Sequence, residues 1–203
     1  MSRTIKAILP PKKPATKATV IFDDGTTKKL LPNVAADFAL VPGLELSDHE
    51  FAELEKANSA ASAKQRAVRI ISAASVSKRD LERRLTQKGE SEDDARSAVR
   101  WLEDLKLLDD AETARQIVAR GAVRGYGAER IKQMLWEKRI PKKYWDEALE
   151  TLPDMREALE TFLRTRLGEE PDEKTLRSAT QAAARRGYTW TEIHEALERI
   201  QKI

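Results

Sequence analysis

The sequence predicts a mainly α-helical protein of three tandem three-helix repeats, preceded by a small N-terminal β-hairpin module. Related segments recur about fifty residues apart, the spacing expected of stacked structural repeats. When Gly89, Arg139 and Gly187 are aligned, the apolar positions of the three segments coincide. The coinciding sets are Leu85, Leu135 and Ala183; Ala98, Ala148 and Ala196; Val99, Leu149 and Leu197; and Leu102, Leu152 and Ile200. Because stacked units complete each other's cores, we expect an elongated, curved molecule.

The N-terminal region is predicted to contain a tail and a hairpin. Residues 1–15 combine lysines with three prolines, so we expect a disordered basic tail. Residues 16–63 form the next module, in which Thr19–Phe22 and Thr26–Leu31 have the composition of strands. Asp24–Gly25 between them is typical of a two-residue hairpin turn, because glycine accepts positive φ.

A helix is predicted to follow the hairpin. Ser47 and Glu50 form a capping box that starts it. The polar, alanine-rich stretch Ala57–Gln65 is either a flexible link or the helical entry to the first repeat. The three predicted repeats cover residues 64–108, 109–152 and 153–203.

The composition argues against an enzyme. The chain of 203 residues has no cysteine and two histidines, His49 and His194, far apart in sequence. Thiolate metal sites and cysteine nucleophiles are therefore excluded, and a histidine-based triad is not expected. Asp109–Asp110 is consistent with a metal-binding pair or with the acidic start of a helix, and we favour the helix start. We expect no catalytic residues, no metal and no cofactor.

The sequence also indicates where the protein resides. No apolar run approaches the roughly 18 residues of a membrane span. Met1–Pro14 lacks the apolar core of a signal sequence. We therefore expect a cytoplasmic monomer with no membrane partner.

Positive charge is concentrated in the middle repeat. Residues 115–143 contain nine basic and two acidic residues, although the whole chain has a net charge of only +3. Such a block can bind a polyanion or an acidic partner, or it can be an ordinary solvated helix face. The candidate contact residues here are Arg124, Arg130, Lys132, Lys138, Arg139, Lys142 and Lys143.

Two further patterns give candidate binding residues. The turn Arg124–Gly125–Tyr126–Gly127 places arginines around a helix start, where they can bind an anion or form interhelical salt bridges. Arg185, Arg186 and Tyr188 combine guanidinium groups with an aromatic ring, which suits stacking on a partner but also local packing. Trp136 is either an exposed binding residue or an inter-repeat contact, and we favour the contact.

These residues resemble those of the RecX family, bacterial regulators of the RecA recombinase. The similarity covers nearly the whole chain and is carried by the order and spacing of four motifs, with one departure, Thr113, near where the family usually has tyrosine. The motifs are Leu81–Leu85 with Lys88–Gly89, Leu107–Asp110, Arg124–Gly127 with Arg130–Ile131, and Arg185–Tyr188.

The resemblance implies a non-enzymatic protein that binds the helical groove of the RecA–DNA filament. It further implies inhibition of strand exchange and ATP hydrolysis, and hence a role in recombination, DNA repair and the SOS response. Contact with single- or double-stranded DNA would then be weak or indirect. The alternative is a helix-turn-helix transcriptional regulator that uses Ala128–Lys138 as its recognition helix.

Overall fold

In the computed structural model, which describes residues 2–11, 17–169 and 171–201, the chain begins with a four-stranded antiparallel sheet. Its strands are β1 (Ser2–Leu9), β2 (Ala18–Phe22), β3 (Thr27–Leu30) and β4 (Glu45–Ser47), in the spatial order β3-β2-β1-β4. The predicted hairpin is confirmed as β2–β3, with Val20 opposite Lys28. Its connection covers residues 23–26, longer than the predicted two-residue turn.

The prediction of a disordered tail is wrong for residues 2–9, which form the inner strand β1. Ile5 is buried, and β1 pairs with both β2 and β4. Pairing on both edges satisfies the backbone of β1, so tertiary contacts override the composition that suggested disorder. Residues 12–16, the rest of the predicted tail, lie outside the described residues.

The sheet packs its core against α1 (Pro32–Asp37) and the start of α2 (Asp48–Ala73). Phe22 and Phe51 meet edge to face, with ring centroids 5.4 Å apart. The capping box of Ser47 and Glu50 is present at the start of α2, as predicted. The boundary predicted between residues 63 and 64 falls inside this continuous helix, because its alanine-rich middle favours helix over a link.

The chain divides into two units, residues 1–74 with 81–107 and residues 75–80 with 108–203. In the first unit, α2 packs on α4 (Glu92–Asp104), and Ser91 caps α4. Helix α3 (Lys78–Gln87) contributes Leu81 and Leu85, which are fully buried.

The second unit contains two three-helix bundles. One consists of α5 (Asp110–Val123), α6 (Ala128–Glu137) and α7 (Trp145–Glu150), with a 3-10 turn at Lys142–Tyr144 leading into α7. The other consists of α8 (Arg156–Leu167), α9 (Glu173–Arg185) and α10 (Trp190–Gln201). Leucine, isoleucine and alanine dominate both cores.

The helical fold predicted from the sequence is confirmed, and burial agrees fully with two of the four aligned sets, whereas Leu149, Leu152, Leu197 and Ile200 of the other two are half-buried. Helices α2 to α10 are the nine predicted helices among the described residues. The aligned residues Leu85, Leu135 and Ala183 are all fully buried, as are Ala98 and Ala196. The fold class is therefore mainly α, with a larger sheet than the predicted hairpin.

Candidate partner-binding surface

A groove opens on the second repeat where α6 ends and α7 begins. It has a volume of about 370 Å³. Its walls are Arg79, Trp136, Glu137, Arg139, Ile140, Pro141, Lys142 and Trp145. The Trp145 indole N–H donates to the Ile140 carbonyl at 3.0 Å, which fixes this ring in the wall.

Trp136 is an exposed wall of the groove, with 69% of its surface accessible. The same helix turns Ile131 and Leu135 into the core, so Trp136 lies on the outer face. The favoured interpretation of Trp136 as an inter-repeat contact is therefore wrong. A large apolar ring in contact with solvent is the kind of residue that dominates binding surfaces.

Arg79 reaches the groove because the start of α3 is tied to the second repeat. The Ser77 hydroxyl donates to the Lys138 carbonyl at 2.6 Å. The Lys78 amide donates to the Asp110 carboxylate at 2.8 Å. These bonds place the first turn of α3 beside the end of α6.

Asp109 and Asp110 have separate structural roles, which agrees with the prediction of a helix start. Asp109 caps α5 by accepting from the Ala111 and Glu112 amides. Asp110 is buried and accepts from Lys78. Among residues 2–11, 17–169 and 171–201, no group of three or more potential ligand side chains could hold a metal ion.

Arg139 has an unusual backbone conformation. Its φ is +56°, and the aligned Gly89 and Gly187 have φ of +88° and +89°. A side chain in this left-handed region costs about 1–2 kcal/mol, whereas glycine adopts it freely. The second repeat therefore carries an arginine at a turn that the other two repeats make with glycine.

Part of the predicted basic block is neutralised by its own acids. Arg130 pairs with Glu137 at 3.4 Å, and Lys132 pairs with Glu129 at 2.8 Å. Exposed pairs of this kind contribute about 0–1 kcal/mol, so they can exchange partners at little cost. Within the described part of the chain, no carboxylate forms a salt bridge with Arg124, Lys138, Arg139, Lys142, Lys143 or Arg79.

Arg186 and Tyr188 join the third repeat to the second. The Arg186 guanidinium donates to the Arg124 carbonyl at 3.0 Å and lies 4.3 Å from the Phe162 ring centre. Tyr188 is buried, and its hydroxyl donates to the Gly125 carbonyl at 3.1 Å. The site prediction is thus revised, because local packing accounts for these two residues. Arg185 remains exposed.

The junction is completed by direct backbone contact. The Gly127 amide donates to the Arg186 carbonyl at 2.9 Å, and the Glu129 amide donates to the Gly187 carbonyl at 3.2 Å. A Cβ on Gly127 would lie 2.5 Å from the Gly187 carbonyl carbon, which leaves no space for a side chain. The glycines of the predicted turn therefore serve a contact between repeats.

Sequence reasoning missed Arg79 and Trp145 as parts of the groove. Arg79 is distant in sequence from the other wall residues, so only the tertiary fold brings it there. A signal for the site did exist in the alignment. Arg139 occupies a position that is glycine in the other repeats.

The fold and surface define a tandem three-helix-repeat protein with a cationic groove on its second repeat. Residues 109–149 match the sequence model of the family domain described as "RecX, second three-helix domain". The chain is 30% identical over 143 residues to the regulatory protein RecX of Chlorobaculum tepidum, covering 68% of this chain and 88% of that protein. It is 27% identical over 144 residues to that of Vibrio campbellii, covering 67% and 90%. The chain therefore belongs to the RecX family.

Solved structures of the family have the same fold. A crystal structure of regulatory protein RecX aligns with a TM-score of 0.66 and 19% identity, covering 97% of this chain and 99% of that one. RecX from Lactobacillus salivarius aligns with a TM-score of 0.63 and 20% identity, covering 72% and 99%. The family resemblance predicted from the motifs is thus confirmed. No helix in the described part of the chain has the length and apolar character needed to cross a membrane.

Proposed function

We propose that this protein binds the RecA–DNA filament in its helical groove and lowers the recombinase and ATPase activities of RecA. Membership of a family of proteins named regulatory protein RecX supports the proposal. We place the protein in the cytoplasm as a non-enzymatic monomer that modulates recombination and DNA repair.

The observation that carries the proposal is the set of cations on the second repeat that lack internal salt bridges. Arg124, Arg139, Lys142 and Lys143 are exposed, and Lys138 is half-exposed. Charges that form no salt bridge within the fold are available to an acidic protein surface or to phosphates, and Lys143 remains exposed although it lies 4.7 Å from the Tyr144 ring centre. Arg185 extends this set into the third repeat. Arg130 and Lys132 are paired with Glu137 and Glu129, so they can contact a partner only if those salt bridges break.

The second and third repeats are held at a fixed spacing. This arrangement suits binding to a filament, because a filament presents the same surface at regular intervals. The junction through Gly127, Arg186 and Tyr188 sets the spacing of the second and third repeats. If each repeat contacts a different RecA subunit, weak contacts reinforce each other through effective concentration.

The alternative of a transcriptional regulator is not supported by the environment of α6. A recognition helix presents its N-terminal residues to the base edges of the major groove. The amides at the start of α6 instead donate to the carbonyls of Arg186 and Gly187 in the third repeat. The end of the helix that would have to enter DNA is covered.

Co-sedimentation of this protein with RecA tests the proposal. We expect the protein to pellet with RecA assembled on single-stranded DNA and ATPγS, and to remain in the supernatant with DNA alone. The proposal would be contradicted if the protein pelleted equally well without RecA, either alone or with DNA.

A further inference from the structure

We propose that the groove beside Trp136 is a docking site for an acidic linear peptide that carries one apolar side chain. The inference deepens the proposed function and rests on it, because an acidic segment on the partner filament is the ligand that it implies. It is tested on the isolated protein with model peptides, so the two proposals can fail separately.

The apolar part of the groove requires an apolar ligand group. The Trp136 side chain is exposed to solvent, and the groove beside it is lined by Trp145, Pro141 and Ile140. The Trp145 indole N–H is already bonded to the backbone, so the ring presents carbon rather than a free donor. A volume of about 370 Å³ accommodates a large side chain with part of its main chain. Burying a phenylalanine or leucine there removes apolar surface from water on both partners.

The charged part of the groove requires carboxylates. Arg79, Arg139 and Lys142 lie in the walls, and none forms a salt bridge with a carboxylate of the described residues. The single acid of the walls, Glu137, is paired with Arg130 at 3.4 Å. The groove therefore has an excess of positive charge around an apolar centre, complementary to acidic residues on either side of an apolar one.

A peptide fits these walls better than a nucleic acid strand. Glu137 is half-exposed in the wall, where it would repel a phosphate backbone with one negative charge on every nucleotide, whereas a peptide can place its carboxylates beside the cations and an uncharged residue beside Glu137. The same carboxylate can accept a hydrogen bond from a peptide amide, a donor that the sugar–phosphate backbone lacks. A wall of mixed charge is thus suited to a ligand that has both donors and acceptors.

The conformation of Arg139 distinguishes the turn of the second repeat from the equivalent turns of the other two repeats. The residue keeps a side chain at φ +56°, where the two aligned turns have glycine. Backbone strain of this kind is concentrated at functional sites, and here the strained residue supplies a wall cation. Glycine at this position would relieve the strain, so the arginine side chain costs local stability.

The test is fluorescence anisotropy with a short fluorescein-labelled peptide of glutamates and glycines around one central phenylalanine. We expect saturable binding that weakens with added salt, because charges at the rim are screened. Replacing the phenylalanine by alanine, or the glutamates by glutamines, should weaken binding. A single-stranded oligothymidine of equal charge should bind less tightly than the acidic peptide.

Two variants test the walls, each with a matched control. Trp136→Ala should weaken peptide binding by roughly 30-fold, the loss typical of a central binding residue. Trp190→Ala, which removes another exposed tryptophan of the same unit, should leave binding unchanged. Arg139→Gly should weaken binding about three- to fivefold and raise the melting temperature. Lys106→Gly also removes an exposed cation at φ +56°, and it should raise the melting temperature without affecting binding.

The proposal is overturned if peptide affinity is unchanged by both Trp136→Ala and Arg139→Gly. It is also overturned if oligothymidine binds more tightly than the peptide and loses that affinity in Trp136→Ala, which would make the groove a nucleic acid site. Arg139→Gly keeps the test valid if Trp136→Ala disturbs the fold.

Discussion

Gly127 and Gly187 meet backbone to backbone, with the Gly187 carbonyl carbon 2.5 Å from where a Cβ on Gly127 would lie. Gly187 is equally confined, since a Cβ there would lie 2.5 Å from Cβ of Arg130 and would collide with the Arg130 backbone nitrogen. Two repeats can approach to this distance only when neither position has a side chain. The geometry of the second unit therefore depends on glycine at both positions.

Substitution at this junction should be more damaging than at the equivalent turn of the first repeat. Gly187 and Gly89 have nearly the same φ, +89° and +88°, but a Cβ on Gly89 would meet nothing within 4 Å. Gly89→Ala should therefore cost only the left-handed conformation, about 1–2 kcal/mol. Gly187→Ala should cost an additional ~1–3 kcal/mol, because the third repeat must move. Urea denaturation of both variants measures the difference. Equal losses of unfolding free energy would show that the junction contributes nothing to stability.

The burial of Tyr188 should make the stability of the protein depend on pH in the alkaline range. Burial raises the pKa of Tyr188 above its ordinary value of 10.0. The unfolded chain then loses this proton at a lower pH than the folded chain does, so stability is complete below pH 10 and falls as the pH rises further.

Comparison with Tyr188→Phe isolates this effect. Near neutral pH the variant should lose about 0.5–1.5 kcal/mol, the contribution of one hydrogen bond to Gly125. The difference in unfolding free energy between the two proteins should shrink above pH 10, because only the native chain has this group to ionise. Urea denaturation of both proteins near neutral pH and again above pH 10 provides the measurement. A difference that stays constant or grows would contradict the assigned burial of Tyr188.

The sequence predicted the helical repeats well because their signals are local. The periodic leucines and alanines, the caps at Ser91 and Asp109, and the turns at Gly89 and Gly187 each depend on a few neighbouring residues. The same local reasoning misjudged β1. Lysine and proline near Ile5 indicated a tail, whereas its two neighbouring strands decide its structure.

The groove was only partly predictable. Arg139 and Lys142 followed from the basic block, since charge density can be counted along the chain. Trp136 could not be assigned, because its exposure depends on where the neighbouring helices pack. The choice between partner stacking and local packing for Tyr188 could not be made for the same reason, since its hydrogen-bond acceptor, the Gly125 carbonyl, is far away in sequence.

Charge reversal on the second repeat should weaken binding to the RecA filament. Lys142→Glu with Lys143→Glu places acids at the start of a helical segment, where they are tolerated by the fold. We expect a clear loss of co-sedimentation and a shallower dependence of affinity on salt, by roughly one log–log unit per phosphate contact removed.

Lys88→Glu with Lys174→Glu is the control for this pair. Both lysines are exposed and the change in net charge is the same, but neither lies on the second repeat. The control variant should bind the filament as the native protein does. Equal losses in the two variants would mean that overall charge, rather than the second repeat, governs binding.

The DNA-dependent ATPase activity of RecA provides the most direct test of the account. Titration with the native protein should lower the rate of ATP hydrolysis at substoichiometric amounts. The Lys142→Glu, Lys143→Glu variant should require a higher concentration for the same effect, and this protein without RecA should hydrolyse no ATP. Unchanged RecA activity at equimolar native protein would contradict the central claim.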